Sequence, residues 1–374
     1  MLNFTYNYLI IYFLLYLTIQ TNKKFFKFNN YLFLFSLFFH LSLTLIYTNL
    51  FETGDWDTYL WEAETKEFKL NFSSFLSSHF VITVTMFLNR IMFLSDINII
   101  FIFSLISYFG ILIFVKNLVK LGFEKKIVCY LLFIPGIHFW TGVPGKDSLL
   151  LFCLSLFFYF YIDRKIIFSL FFILIVCMIR PHIGLIFLVS IALTEFFLIQ
   201  KYKNKFLMLL ITIVCFYGII NFPMTKGFFL NNSLVLSDNI FLQILNQLNA
   251  ISQKYSSSSS FYGGGNVLSN IFNYILFPTG FIFKKTSLFI DFSIYLEICT
   301  FIFVSALIFK HKKELIIDKK IIYFLSICVL LYLFVMPQVF FNYGLNIRQK
   351  WMILPFVIYL FFLLKNLLVK MNKI

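Results

Sequence analysis

The sequence predicts an all-α polytopic membrane protein with about eleven transmembrane helices and interfacial helices in two long outer loops. Three observations carry this expectation. Of the 374 residues, 61% are hydrophobic and 13% charged, whereas a soluble domain is nearer half apolar and a quarter charged, and the mean hydropathy is +0.90. Apolar runs of roughly 17 to 22 residues recur, the length a helix needs at about 1.5 Å per residue to cross a bilayer core. Those runs do not alternate polar with apolar residues, as the strands of a lipid-spanning barrel would.

In chain order the predicted spans are 4–20, 31–50, 97–115, 127–142, 148–162, 166–179, 183–200, 206–222, 289–309, 321–341 and 351–365. The run from Phe4 to about Gln20 lacks a following small-residue cleavage site, so it reads as a span and not a cleavable signal. The chain is treated as one membrane domain over 1–374, with outer loops at 51–96 and 223–288. The first loop is acidic and contains an amphipathic stretch, His79 to Leu94, expected to lie as a helix in the outer interface. The second has a polar centre, Gln253 to Asn266, whose Ser/Gly run cannot pack a core. After it, Ile271 to Phe283 is apolar but broken by Pro278 and Gly280, the pattern of a re-entrant segment.

Orientation follows from lysine and arginine. Twenty of the 31 fall in one set of loops, around Lys23, Lys120, Arg164, Lys203, Lys312 and Lys370. The positive-inside rule makes that side cytoplasmic, with the N-terminus outside and the C-terminus inside a bacterial inner membrane. The net charge of +15 is explained the same way and argues for no nucleic-acid partner. All four tryptophans fall near the opposite, outer interface, where indole rings prefer to lie. The six cysteines lie inside apolar runs without C-x-x-C spacing and read as buried small hydrophobes.

The polar motifs gather on the outer side. GDWDTYLW puts Asp55 and Asp57 two residues apart, suited to a general base or a divalent-cation pair, among Trp56, Tyr59 and Trp61, whose faces suit sugar rings. The same segment also fits an acidic loop that merely obeys the charge rule. PGKDS is expected as a tight hairpin in which Asp147 or Ser148 caps the next helix, and Lys146 joins the exposed helix amides in a phosphate cradle. A capped hairpin with a snorkelling lysine is the plainer alternative. RPH supplies Arg180, whose fork suits phosphate oxygens, and His182, a second donor or proton carrier. NIRQKW puts Arg348 and Lys350 in a short outer loop against the charge rule, which an anion would compensate. Glu195 and Glu297 are the acids within apolar runs.

Carboxylates, aromatics and scattered cations at a lipid surface suit a sugar carried on a polyprenyl diphosphate. Lys146, Arg180, His182, Arg348 and Lys350 would neutralise the diphosphate. Asp55 or Asp57, with Asp147 as the third acidic candidate, would activate the acceptor hydroxyl. Trp56, Tyr59, Trp61 and Trp140 would contact sugar. The spacing of Asp55 and Asp57 allows a divalent cation without demanding one, and no other cofactor is indicated.

The segments GDWDTY, HFVITVTMFLNRIMFL, FIPGIHFWTGVPGKDSLLLF, RPHIGL and NIRQKWMILPF resemble bacterial exopolysaccharide and O-antigen polymerases of the EpsG/Wzy type. More loosely they resemble the GT-C membrane glycosyltransferases. The resemblance implies polymerisation of undecaprenyl-linked repeats, or transfer of one sugar, at the outer face, with membrane lipid and glycan-export proteins as partners. It matches Asp55 and Asp57 to the acidic first-loop motif, and Arg180 and Arg348 to the outer-loop arginines of the polymerases. One departure is that no glycine follows Arg180 eleven residues later, so polymerase and single-sugar transferase both stay open. A flippase or other transporter, with charges at mid-membrane on broken helices, and a non-catalytic subunit of a glycan assembly complex are the alternatives.

Overall fold

The computed structural model describes residues 2–50, 54–67 and 77–198, and then residues 295, 298–300, 302–307, 310, 318–339, 353, 356–361 and 363–365. Among them every regular element is helical. The chain divides into two compact units, Met1–Pro181 with Phe309–Ile316, and His182–Ile308 with Ile317–Ile374.

In the first unit, α1 (Leu2–Thr21) runs into a π-helical turn, Asn22–Phe26, and α2 (Asn30–Leu50) returns. Asn22 fixes this reversal: it is buried, and its side-chain amide bonds both the N–H and the carbonyl of Phe28 at 3.2 Å. A short helix α3 (Asp55–Thr65) follows, then α4 (Ser78–Met86), which continues as a π-turn over Phe87–Ile91. The stretch 79–94 is therefore helical as expected for most of its length. Val81 and Thr85 are fully buried, and the helix packs on both α3 and a later helix, so it belongs to the packed bundle.

The centre of the unit is α5 (Asp96–Lys120), with Ile99, Phe103, Tyr108, Ile111, Leu112 and Leu118 buried. It packs most extensively on α8 (Lys146–Ile162). The two run parallel, because Lys120 at the end of α5 pairs at 2.8 Å with Asp163 just beyond α8. Close backbone approach makes the contact possible: a Cβ on Gly110 would lie 2.9 Å from the backbone N and Cα of Phe152. Small residues serve the same purpose between membrane helices generally. From α8 the chain reverses into α9 (Ile166–Ile179), and Phe160 stacks on both Phe168 and Phe172 across the turn.

The fourth predicted span, 127–142, is not one helix. It is α6 (Lys125–Cys129), a 3-10 turn (Tyr130–Phe133), a break at Ile134, and α7 (Pro135–Thr141). Pro135 supplies no backbone N–H and disfavours helical geometry at the residue before it; Ile134 accordingly has φ −72 and ψ 106. The link from α7 to α8 turns by 120°, which is more open than the tight hairpin expected there.

In the second unit α10 (Pro181–Leu198) and α11 (Lys319–Val339) are joined near Glu195, which forms an ion pair with Lys320. Phe187 lies against Phe324 and Phe356. Among the described residues α2, α5, α10 and α11 as far as Met336 are long and apolar enough to cross a membrane, and a fifth span is gained if α7 and α8 count as one. Large apolar side chains on α2 and α9, including Phe35, Phe38, Ile167 and Leu174, are exposed, which suits a lipid surround. The predicted span 206–222 and the loop 223–288 lie outside the described residues, as do parts of the spans 289–309 and 351–365.

Candidate functional site

The helix ends of the first unit separate two kinds of chemistry. At one end the basic loops converge. Lys125 donates to the Lys27 carbonyl at 2.6 Å, Lys116 faces the rings of Phe26 and Tyr159, and Lys120 lies over Tyr159 while pairing with Asp163. Residues from three loops that the charge pattern assigns to one side are thus brought together.

The opposite end carries the polar motifs. Helix α8 begins at Lys146 with Gly145 as its N-cap, so neither Asp147 nor Ser148 caps it. The Ser148 hydroxyl instead donates back to the Gly145 carbonyl at 2.8 Å. Asp147 is in the first turn, where the helix dipole favours a carboxylate. It is buried and accepts from Arg180 Nη2 at 2.5 Å. That contact ties the start of α8 to the end of α9. Arg180 is itself only 8% exposed, and its Nε–H has no hydrogen-bond partner among the described residues.

Lys146, half-buried beside this pair, donates to Ser77 Oγ at 3.0 Å. Ser77 also donates its backbone N–H to the Met178 carbonyl at 2.6 Å. Its backbone has φ 58 and ψ −126, a conformation costing a non-glycine residue on the order of 1–3 kcal/mol. Strain of this size persists where surrounding contacts hold it, and here two do. Lys146, Asp147, Arg180 and Ser77 therefore form one cluster at the junction of α4, α8 and α9.

The acidic helix α3 also packs on α4. Asp55 and Asp57 are in its first turn and exposed. Asp57 and Glu64 both act electrostatically on Asp96 at the start of α5, which makes this region an acidic patch. Arg90, in the π-turn after α4, donates to the carbonyls of Ala63 and Glu64 at 2.9 and 2.8 Å, closing the C-terminus of α3.

The expected sugar-contacting aromatics divide. Trp61 is 60% exposed and Trp56 half-buried. Tyr59 is buried, and so is Trp140, whose ring packs edge-on against Tyr47 and Phe139. Those two rings are core, because an enclosed ring has no face to offer a sugar. Asp147, the third acidic candidate, is buried, and its carboxylate pairs with Arg180. His182 is half-buried at the start of the second unit. Arg348, Lys350 and Glu297 lie outside the described residues. Among the described residues no group of three or more His, Cys, Asp or Glu side chains is arranged to hold a metal ion.

Sequence reasoning passed over Ser77 and a buried histidine pair, His40 and His138. Ser77 carries no signal of its own in a polar stretch. The histidines did carry one, since an ionisable residue within an apolar run is a candidate by position alone. No protein-family model matches the chain, and no curated protein or solved structure is significantly similar to it.

Proposed function

We propose that the protein is an integral-membrane glycosyltransferase or polymerase of the EpsG/Wzy kind, in a bacterial inner membrane, acting on polyprenyl-diphosphate-linked sugars at its outer face. The observation that carries this reading is the Arg180 guanidinium, buried with a donor to spare at the head of α8 and next to Lys146. A buried N–H without a partner costs about 1–3 kcal/mol, and an anionic oxygen would relieve it. A helix N-terminus and a lysine beside it favour the same class of ligand.

In the proposed reaction the acceptor hydroxyl oxygen attacks the anomeric carbon while the bond from that carbon to the diphosphate oxygen breaks. Asp55 or Asp57 takes the hydroxyl proton. The diphosphate leaves with the bonding electrons and is neutralised by Lys146 and Arg180. Asp147 orients Arg180, and Trp56 and Trp61 offer their faces to sugar. A divalent cation at Asp55 and Asp57 is compatible with this scheme but not required by it.

Purified protein in nanodiscs with an undecaprenyl-diphosphate-linked sugar tests the reading. Asp57→Asn and Asp55→Asn are expected to lower transfer by about 100- to 10,000-fold for whichever is the base, with membrane insertion intact. Lys146→Ala is expected to weaken undecaprenyl diphosphate binding about 10-fold or more. Full transfer by both aspartate variants, or unchanged binding by Lys146→Ala, removes the assignment. Sidedness is tested separately, with single cysteines at Trp61 and Arg164 in a background lacking the six native ones. They should label from opposite faces of the membrane, Trp61→Cys from outside; labelling from one face overturns the topology.

A transporter is the second reading, because one observation favours it. The broken segment 125–141 carries a buried ionisable side chain midway along the bundle, His138 against His40. Flipping of the lipid-linked substrate in proteoliposomes, without sugar transfer, would select this reading.

A further inference from the structure

His40, midway along α2, and His138, on α7, are both fully buried, and their Nδ1 atoms are 2.8 Å apart. That distance is the length of a hydrogen bond between the rings, whereas two nitrogens on one tetrahedral metal would stand about 3.3 Å apart. The outer nitrogens are also engaged. His40 Nε2 is 2.9 Å from the Ser104 carbonyl oxygen, and His138 Nε2 is 2.7 Å from the Leu132 carbonyl oxygen. Carbonyl oxygens only accept, so each outer nitrogen fits its neighbour only as an N–H. The central contact needs one more hydrogen. Three N–H groups on two rings are one more than two neutral imidazoles carry.

Each neutral arrangement puts lone pairs face to face at one or more of the three contacts. The contact at His40 has a remedy. The Ser107 hydroxyl, 3.0 Å from His40 Nε2, also lies 2.9 Å from the Ser104 carbonyl and can donate to either. When it turns to the imidazole, His40 Nε2 accepts from it, His40 Nδ1–H donates to His138 Nδ1, and His138 keeps its bond to Leu132. The cluster therefore has a hydrogen-bond scheme both with and without the extra proton, and the carbonyl contact at His40 is the one the protonated scheme fills.

We propose that His40 and His138 form an intramembrane proton-binding site that takes up one proton as a shared imidazole–imidazolium pair, with the Ser107 hydroxyl as the group that reorients on release. On uptake His40 Nε2 gains the proton, an N–H bond forms there, and the Ser107 hydroxyl turns back to the Ser104 carbonyl. The groups facing the pair are few. On α5 they are Ser104, Ser107 and Tyr108, whose ring lies 5.6 Å from that of His40. The Leu132 carbonyl comes from the 3-10 turn, and the Phe39 ring meets His138 edge-on at 5.2 Å. Tyr108 is the titratable group among them, and its hydroxyl is engaged by Ser36 and the Phe33 carbonyl. Among the described residues no carboxylate or cationic side chain hydrogen-bonds or pairs with either ring. The inference does not depend on sugar transfer.

The test is nitrogen NMR on full-length protein, with nitrogen-15 in its five histidines, in lipid nanodiscs. Signals of the pair are assigned by His40→Gln and His138→Gln, and independently by subtracting His79→Gln, His182→Gln and His311→Gln, which leave the pair intact. The expected result is a through-hydrogen-bond nitrogen–nitrogen coupling and a third N–H on the two rings, gained as the pH falls from about 8 to about 5. Ser107→Ala removes the donor that serves the neutral scheme, so the third proton should be held about one pH unit higher than in the wild type. Two N–H groups throughout the range from about pH 5 to 8, or earlier or equal loss of the proton in Ser107→Ala, overturns the proposal. A purely structural pair would not respond to Ser107→Ala in this direction.

Discussion

Arg180→Ala is expected to destabilise the first unit by about 3–5 kcal/mol, and Asp147→Ala by a similar amount, because each breaks a buried ion pair and leaves one of its charges in place. The pair joins α8 to α9 with side chains 9% and 3% exposed, so solvent screens it little. The double variant should cost clearly less than the two singles added together, since it removes both charges and with them the desolvation burden. Unfolding midpoints of the three proteins in one detergent measure this. Single variants within about 1 kcal/mol of the wild type would mean that the ion pair is hydrated. The same cycle bears on function, because Asp147→Ala removes the group that orients Arg180 while sparing Lys146.

Gly110→Leu should be nearly as damaging, and at a position that carries no chemistry. A Cβ there meets the Phe152 backbone N and Cα at 2.9 Å and the Leu151 carbonyl carbon at 3.2 Å. Backbone atoms of a helix cannot rotate aside as a side-chain tip can, so α5 and α8 must separate along their whole contact. Overpacking of this kind costs about 1–3 kcal/mol, and the leucine variant belongs at the upper end and the alanine variant at the lower. Gly145→Ala is the contrast, since its Cβ would meet atoms at 3.7 and 4.0 Å, ordinary contact distances. Thermal unfolding of the three variants should rank them in that order; equal effects at Gly110 and Gly145 would refute the close-approach argument. Gly142 is a further tight position, where a Cβ would lie 2.1 Å from the Thr44 hydroxyl oxygen, itself bonded to the His40 carbonyl and Ser104 Oγ.

The helices were legible where apolar runs are uninterrupted. The predicted span 166–179 coincides with α9, and 31–50 and 97–115 fall within α2 and α5. The prediction failed at 127–142, where hydropathy continues straight through Pro135 while the backbone does not. A hydropathy window weighs side chains and ignores the missing N–H. The grouping of Lys27, Lys116, Lys120 and Lys125 at one end followed from charge counting, because the positive-inside rule acts on loops before any tertiary contact forms.

Local sequence therefore determined that this chain is helical and apolar enough for a membrane, where most described helices begin and end, and which loops carry which charge. These depend on composition and on neighbours a few residues apart. Tertiary structure alone decided that Asp147 is the partner of Arg180, 33 residues away, and that Trp140 is core. It likewise decided that His40 meets His138 across 98 residues. Hydrogen bonds, burial and backbone approach are properties of which helix faces meet, and that choice rests on packing between segments that no spacing along the chain records.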